Sequence, residues 1–112
     1  MAYRNLNVLD AAEQAAKQVN ELIDRSPPSR LLHVRQLRNS AQSVVANITE
    51  GFGRGDGPER DRALRVARGE AEETISHLKA NFLANRISAR DYYAVRNRYV
   101  VIVKMLNALL ND

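Results

Sequence analysis

The sequence predicts an all-α protein, an up-and-down antiparallel four-helix bundle formed by residues 1–112 as one domain. Three observations carry that expectation. Aromatics make up 5% of the chain and only 5 Gly and 3 Pro occur, a composition poor in the residues that build strands and tight turns. Apolar residues recur at steps of three and four in four separate stretches. Those stretches are parted by short runs of Pro, Gly, Ser and Asn.

The first stretch sets Leu9, Ala12, Ala16, Val19 and Ile23 on one face, which reads as a helix from about residue 5 to residue 25. Ser26-Pro27-Pro28-Ser29 ends it, because two prolines in succession cannot continue a helix, and Ser29 is placed to cap the next one. Val34, Leu37, Ala41, Val44, Ile48 and Phe52 form the second stripe. The glycines at 51, 53, 55 and 57 then predict a loop, since helix interiors disfavour Gly by about 1 kcal/mol. Pro58 suits a first helical position and Glu59 and Asp61 suit a first turn. Leu64, Ala67, Ala71, Ile75, Leu78 and Phe82 carry the third helix to about Asn85. Ser88 followed by Asp91 resembles a capping box. Tyr92, Val95, Tyr99, Ile102, Leu106 and Leu109 give the fourth stripe. Helices of this size would run roughly 30–42 Å at about 1.5 Å per residue.

The chain has no cysteine, which excludes disulfides, thiolate nucleophiles and Cys-ligated metals and suits a reducing cytoplasm. No apolar run approaches the roughly 18 residues of a membrane-spanning helix, so no membrane partner is expected. A di-iron bundle needs Glu-x-x-His on two helices. Here Arg30 and Thr74 stand three before His33 and His77, and no metal or other cofactor is expected. His77 follows Glu73 by one turn, a spacing more typical of a surface pair. The glycine run lacks the Lys-Ser/Thr of a phosphate loop, and nothing sets a nucleophile beside a base. The expectation is a protein that is not an enzyme.

Charge says more. There are 17 Lys and Arg against 13 Asp and Glu, and 14 of the bases are Arg, whose planar fork suits phosphate. Residues 28–112 hold fourteen bases and nine acids, whereas residues 1–27 are slightly acidic. Arg35 and Arg38 on the second helix, Arg54 in the loop, and Arg60, Arg62 and Arg65 on the third are the candidates for contacting RNA or DNA phosphates. The competing possibility is that they are already paired with nearby acids. Aromatics (Tyr3, Phe52, Phe82, Tyr92, Tyr93 and Tyr99) are few, and several lie in the stripes, a thin provision for base stacking.

Two surfaces exceed what one bundle needs. The second helix has eleven uncharged residues between Arg38 and Glu50, with Ser40, Ser43 and Asn47 on the side away from its stripe. The fourth has a second stripe, Ala94, Val101, Met105 and Ala108, interrupted by Arg98. Ser40, Ser43, Asn47, Val101 and Met105 are therefore candidates for an interface between copies of the chain.

The run from Val44 to Arg54, with Asn47, Ile48, Glu50, Gly51, Phe52, Gly53 and Arg54, resembles the signature of a bacterial four-helix-bundle family. That family was first named from proteins encoded in intervening sequences of large-subunit ribosomal RNA genes. Arg62 to Glu70 is similar to its second conserved run, with Ala63 in place of an aromatic and Glu70 in place of Ser; the closing helix is similar as well. The resemblance implies a ring-like homopentamer. It also implies kinship with the accessory variability protein of diversity-generating retroelements, a basic pentamer that binds nucleic acid and a reverse transcriptase. The signature residues Asn47, Glu50, Gly51, Phe52 and Arg54 admit a structural role. Gly51 would end the helix in a left-handed conformation, Phe52 would anchor the loop, and Asn47 and Glu50 would meet a neighbour or Arg54. Gly69 would allow a close helix contact.

These readings converge on a non-enzymatic oligomeric bundle that binds nucleic acid or a nucleic-acid-processing protein. The alternative is a protein-interaction scaffold for an acidic partner.

Overall fold

The computed structural model describes the backbone of residues 3–111 and the side chains from Asn7 to Asn111, so the Tyr3 ring lies outside the described side chains. Four helices follow one another: α1 (Tyr3–Arg25), α2 (Val34–Gly53), α3 (Pro58–Leu83) and α4 (Ala89–Leu110). Each packs on its neighbour in sequence, and α4 closes the square against α1. The result is an up-and-down bundle 43 Å long and 20 × 19 Å across.

The stripes enter one shared core. Leu37, Ala41, Val44 and Ile48 of α2, Leu64, Ala67, Ala71 and Leu78 of α3, and Tyr92, Val95, Tyr99, Ile102 and Leu106 of α4 are buried. In α1 the buried line runs through Val8, Ala12, Ala15, Val19, Leu22 and Ile23, and Leu9 and Ala16 fall to its half-buried flank. The periodicity located that helix and its inward face, with Ala12, Val19 and Ile23 buried as expected and Val8, Ala15 and Leu22 added beside them. Tyr99 is the largest fully buried side chain. Its hydroxyl has no hydrogen-bond partner among the described residues, and burial pushes its pKa well above the usual phenol range.

Two polar residues occupy stripe positions in α3. Thr74 is fully buried and its hydroxyl donates to Ser40 Oγ at 2.7 Å; Ser40 in turn donates to the Leu37 carbonyl at 3.2 Å. Asn81 is 1% exposed and holds the α1–α2 connection. Its Oδ1 accepts from Leu32 N at 2.7 Å, while its Nδ2 donates to the Leu32 carbonyl at 3.1 Å. Ser40 therefore belongs to the intramolecular core, and its expected place on an interface between copies is withdrawn. A small hydroxyl residue at that point lets α2 and α3 approach and bond.

The two loops at the Asn81 end are joined further. Arg30 donates from Nη2 to the Asn85 carbonyl at 2.9 Å and from Nε to the Arg86 carbonyl at 3.3 Å, and Arg86 Nη1 returns a bond to the Arg30 carbonyl at 3.4 Å. Arg25 pairs with Asp91 at 2.9 Å. Helix α2 begins later than Ser29 allows: that residue sits in the loop with φ 64°, and the cap is His33, with φ 56° and no side-chain cap bond. Ser88 does cap α4, accepting from Asp91 N at 3.0 Å.

The glycine run divides differently from the sequence expectation. Gly51 and Gly53 are helical, and the turn is confined to residues 54–57, where Gly55 and Gly57 take positive φ. Gly51 is buried in α2. A Cβ there would meet Leu64 Cδ2 at 3.1 Å, Ala63 Cβ at 3.3 Å and the Arg60 carbonyl oxygen at 3.3 Å. Its role is close approach of α2 to α3, and no left-handed conformation is needed. The small side chain of Ala63 leaves room for that approach. Gly69, expected at a close contact, has open space where a Cβ would stand.

Three stability measurements follow. Gly69→Ala should stabilise by about 0.5–1 kcal/mol, since helix propensity improves and nothing obstructs the methyl. Gly51→Val should destabilise by about 2–3 kcal/mol, because a backbone oxygen cannot yield to the added branch. Tyr99→Phe should leave stability equal or raise it by up to about 1 kcal/mol, by removing an unsatisfied buried hydroxyl. Urea unfolding of the variants reads all three.

Candidate functional site

The family-type residues converge on the seam between α2 and α3. Asn47, Glu50 and Arg54 line a groove of about 270 Å³ with Glu59, Arg62, Ala63 and Val66. Asn47 turns back on its own helix, donating from Nδ2 to the Ser43 carbonyl at 2.8 Å and to Ser43 Oγ at 3.1 Å. Arg54 reaches Glu50 at 3.2 Å and Glu59 at 3.5 Å. Phe52 is half-buried against the core, still within α2. The signature thus builds one turn of structure: Gly51 admits α3, Phe52 closes the core, and the Glu50–Arg54 pair spans the outside.

Further along the seam stand Ser43, Glu70, Glu73, His77 and His33. The Glu70 carboxyl is pushed above the usual carboxylate range, first by burial and then by its hydrogen bond to Glu73; the bond from Ser43 and the nearby His77 oppose the rise. His77 Nε2 stands 3.5 Å from Glu73 Oε1, and the His33 and His77 rings meet edge to face at 5.4 Å. Among the described residues, no group of three His, Cys, Asp or Glu is arranged to hold a metal ion.

The candidate phosphate contacts fare unequally. Arg60 is 16% exposed and is spent inside the chain, on Asp61 at 2.9 Å, Asp56 at 3.3 Å and the Leu109 carbonyl at 3.1 Å. It fastens the end of α4 to the start of α3, which removes it from the list of free cations. Arg38 bonds Asp24 and Asn20, both at 2.8 Å, and ties α2 to α1. Arg54 is shared by two carboxylates. Arg35 and Arg62 are exposed without an ion pair among the described residues, and Arg65 is exposed and partnered. The segment 50–65 carries four Arg and four acids, so the arginine cluster expected there has no net charge. Sequence proximity brought the arginines together and brought their counter-ions with them.

On α4, Ala94, Val101 and Ala108 are exposed at intervals of seven, with Val101 51% accessible. Ala94, Asn97, Arg98 and Val101 form with Ala11 of α1 a groove of about 370 Å³. Met105 departs from this row. It is half-buried and packs against the core.

The family described as the 23S rRNA-intervening sequence protein matches residues 4–108. The chain belongs to that family. A crystal structure from Bacteroides thetaiotaomicron VPI-5482, described as a protein with unknown function from the S23 ribosomal protein family, superposes with a TM-score of 0.90. The match covers 97% of this chain and 99% of that chain at 22% identity, a likeness of fold. No relative was found among curated proteins. For this member of the 23S rRNA-intervening sequence protein family, then, the signature run coincides with the α2–α3 contact.

The Glu70 environment gives a pH test. An acid whose folded-state pKa is raised favours folding while protonated, and that contribution is lost as pH rises from the ordinary carboxylate range through the raised value. Glu70→Gln should therefore raise the melting temperature at neutral pH by about 1–2 °C, a small gain because solvent screens the pair. The difference should vanish as pH falls below the ordinary carboxylate range. Thermal melts of both proteins across pH check it.

Proposed function

We propose that this chain is a non-enzymatic helical bundle that assembles with copies of itself into a ring-like homopentamer and binds nucleic acid or a nucleoprotein partner. The observation that carries the assembly is the row Ala94, Val101, Ala108 on α4, continued across the groove by Ala11 of α1. Apolar residues seven apart offer a stripe to a partner helix, and the alanines admit a close backbone approach. The family resemblance supports five copies. Ser43 and Asn47 are half-buried at the α2–α3 seam and contribute at most an edge to such a contact. The binding half of the reading is supported by the net charge of +4 and the preponderance of Arg. The absence of cysteine suits a cytoplasmic setting.

The neutralised segment 50–65 favours a second reading, a scaffold that engages an acidic protein and no nucleic acid. Fluorescence anisotropy with labelled RNA and duplex DNA, with an acidic protein as competitor, separates the two. No binding to either nucleic acid at about 50 mM salt, where phosphate contacts are strongest, leaves the scaffold reading.

Light scattering should give about five times the 12.6 kDa chain mass. A monomer at micromolar concentration rules the ring out. Val101→Lys should dissociate the assembly and leave the helical circular dichroism intact, because the side chain lies off the core. Met105→Glu should instead cost stability, since Met105 packs inward.

A further inference from the structure

The positive charge of this chain is gathered at one end of the bundle. Segments 22–38 and 79–91 hold seven bases against two acids, a surplus that exceeds the net charge of the whole chain. Both segments lie at the same end, since Arg30 reaches Asn85 and Arg86, Asn81 holds Leu32, and Arg25 pairs with Asp91. The two acids are already engaged, Asp24 with Arg38 and Asp91 with Arg25. Arg35 and Arg90 are exposed with no ion pair among the described residues. Among the described residues, Arg30 and Arg86 bond to carbonyl oxygens of each other's loop and to no carboxylate, which orients the guanidiniums without cancelling their charge. Two like charges are thereby held on facing loops, with N–H donors to spare.

An aromatic surface lies at the same end of the bundle. Tyr93, one turn beyond Arg90, is 49% exposed. It is braced edge-on by Tyr92 at 4.8 Å and by Phe82 at 5.9 Å, and those two rings are stacked on each other at 4.6 Å. The backing rings restrict Tyr93 while leaving half of it open. Leu83, 68% exposed, adds apolar surface at the same end. Guanidiniums and a braced ring on one end of the bundle match the chemistry of a single strand, in which phosphates seek cations and unpaired bases offer flat faces for stacking. A duplex supplies the phosphates but keeps its bases stacked on one another.

We propose that this end of the bundle is a binding site for single-stranded nucleic acid, with a base stacked on Tyr93 and the backbone phosphates on Arg30, Arg35, Arg86 and Arg90. The proposal rests on the nucleic-acid reading above and specifies the strand form and the surface. Side-by-side assembly would leave the ends of the bundles open, and repeated copies would engage one strand at high effective concentration.

The test is fluorescence anisotropy on the intact assembly, with a fluorescein-labelled mixed-sequence RNA single strand, the matching DNA single strand and the DNA duplex. Arg35→Glu/Arg90→Glu, which leaves the Arg30 and Arg86 loop bonds untouched, should weaken single-strand binding by about tenfold or more and reduce its salt dependence. The charge-matched Arg62→Glu/Arg65→Glu at the opposite end should change it little. Tyr93→Leu should weaken single strands by about fivefold or more while sparing any duplex binding, and Tyr93→Phe should retain it. Equal losses from the two charge reversals, or undiminished single-strand binding by Tyr93→Leu, overturn this site and leave the broader nucleic-acid reading standing. Failure of the unmodified protein to bind any of the three probes overturns both, and binding to polyglutamate alone assigns the end to an acidic protein.

Discussion

The pairing of α2 with α3 is the contact on which the rest of this bundle depends, and it is held at three levels. Near the 54–57 turn, Gly51 lets Leu64, Ala63 and the Arg60 carbonyl come within the space a side chain would need. Along the buried face, the Thr74 hydroxyl meets that of Ser40. At the far end, Asn81 satisfies both backbone groups of Leu32. Hydrophobic burial is proportional to area and indifferent to register, so a stripe alone permits a helix to slide or turn against its neighbour. A steric notch and two directional polar contacts remove that freedom. Helices α1 and α4 pack on a pair whose register these contacts define.

How much of this could be read beforehand differs by level. The helices, their order and most of the core followed from spacing, because an apolar residue every third or fourth position has few uses other than burial. Thr74 and Asn81 escaped because they are polar, although they fall in step with Ala71 and Leu78; the spacing was the available signal. Gly51 was legible as special but not in kind. A glycine at the end of an apolar stripe suggests a helix stop, and only the opposing chain reveals that the missing Cβ makes room for α3. Ser29 was a plausible cap by composition, yet the loop continues to His33 before the backbone turns helical.

Charge was the level at which local reading misled most. Arg54, Arg60, Arg62 and Arg65 lie close in sequence and in space, but Glu50, Asp56, Glu59 and Asp61 are interleaved with them, and an interleaved set is nearly silent at a distance. Arg30, Arg35, Arg86 and Arg90 come from two segments far apart in the chain. Nothing in either segment announces the other, and the up-and-down topology brings them together. The same holds for Tyr93, whose setting depends on Phe82 from the preceding helix.

The end-to-end asymmetry of charge has a thermodynamic consequence for any cyclic assembly. If copies stand side by side with parallel long axes, every basic end falls on a single rim, and the copies repel there even as their apolar rows attract. Whatever neutralises the rim relieves that repulsion, so anion binding and ring closure are linked equilibria, each strengthening the other by the same factor. Simple salt would tighten the ring by screening while weakening the hold on a phosphate chain. Ionic strength would therefore pull the two halves of such a system in opposite directions, with the occupied ring most populated between the extremes.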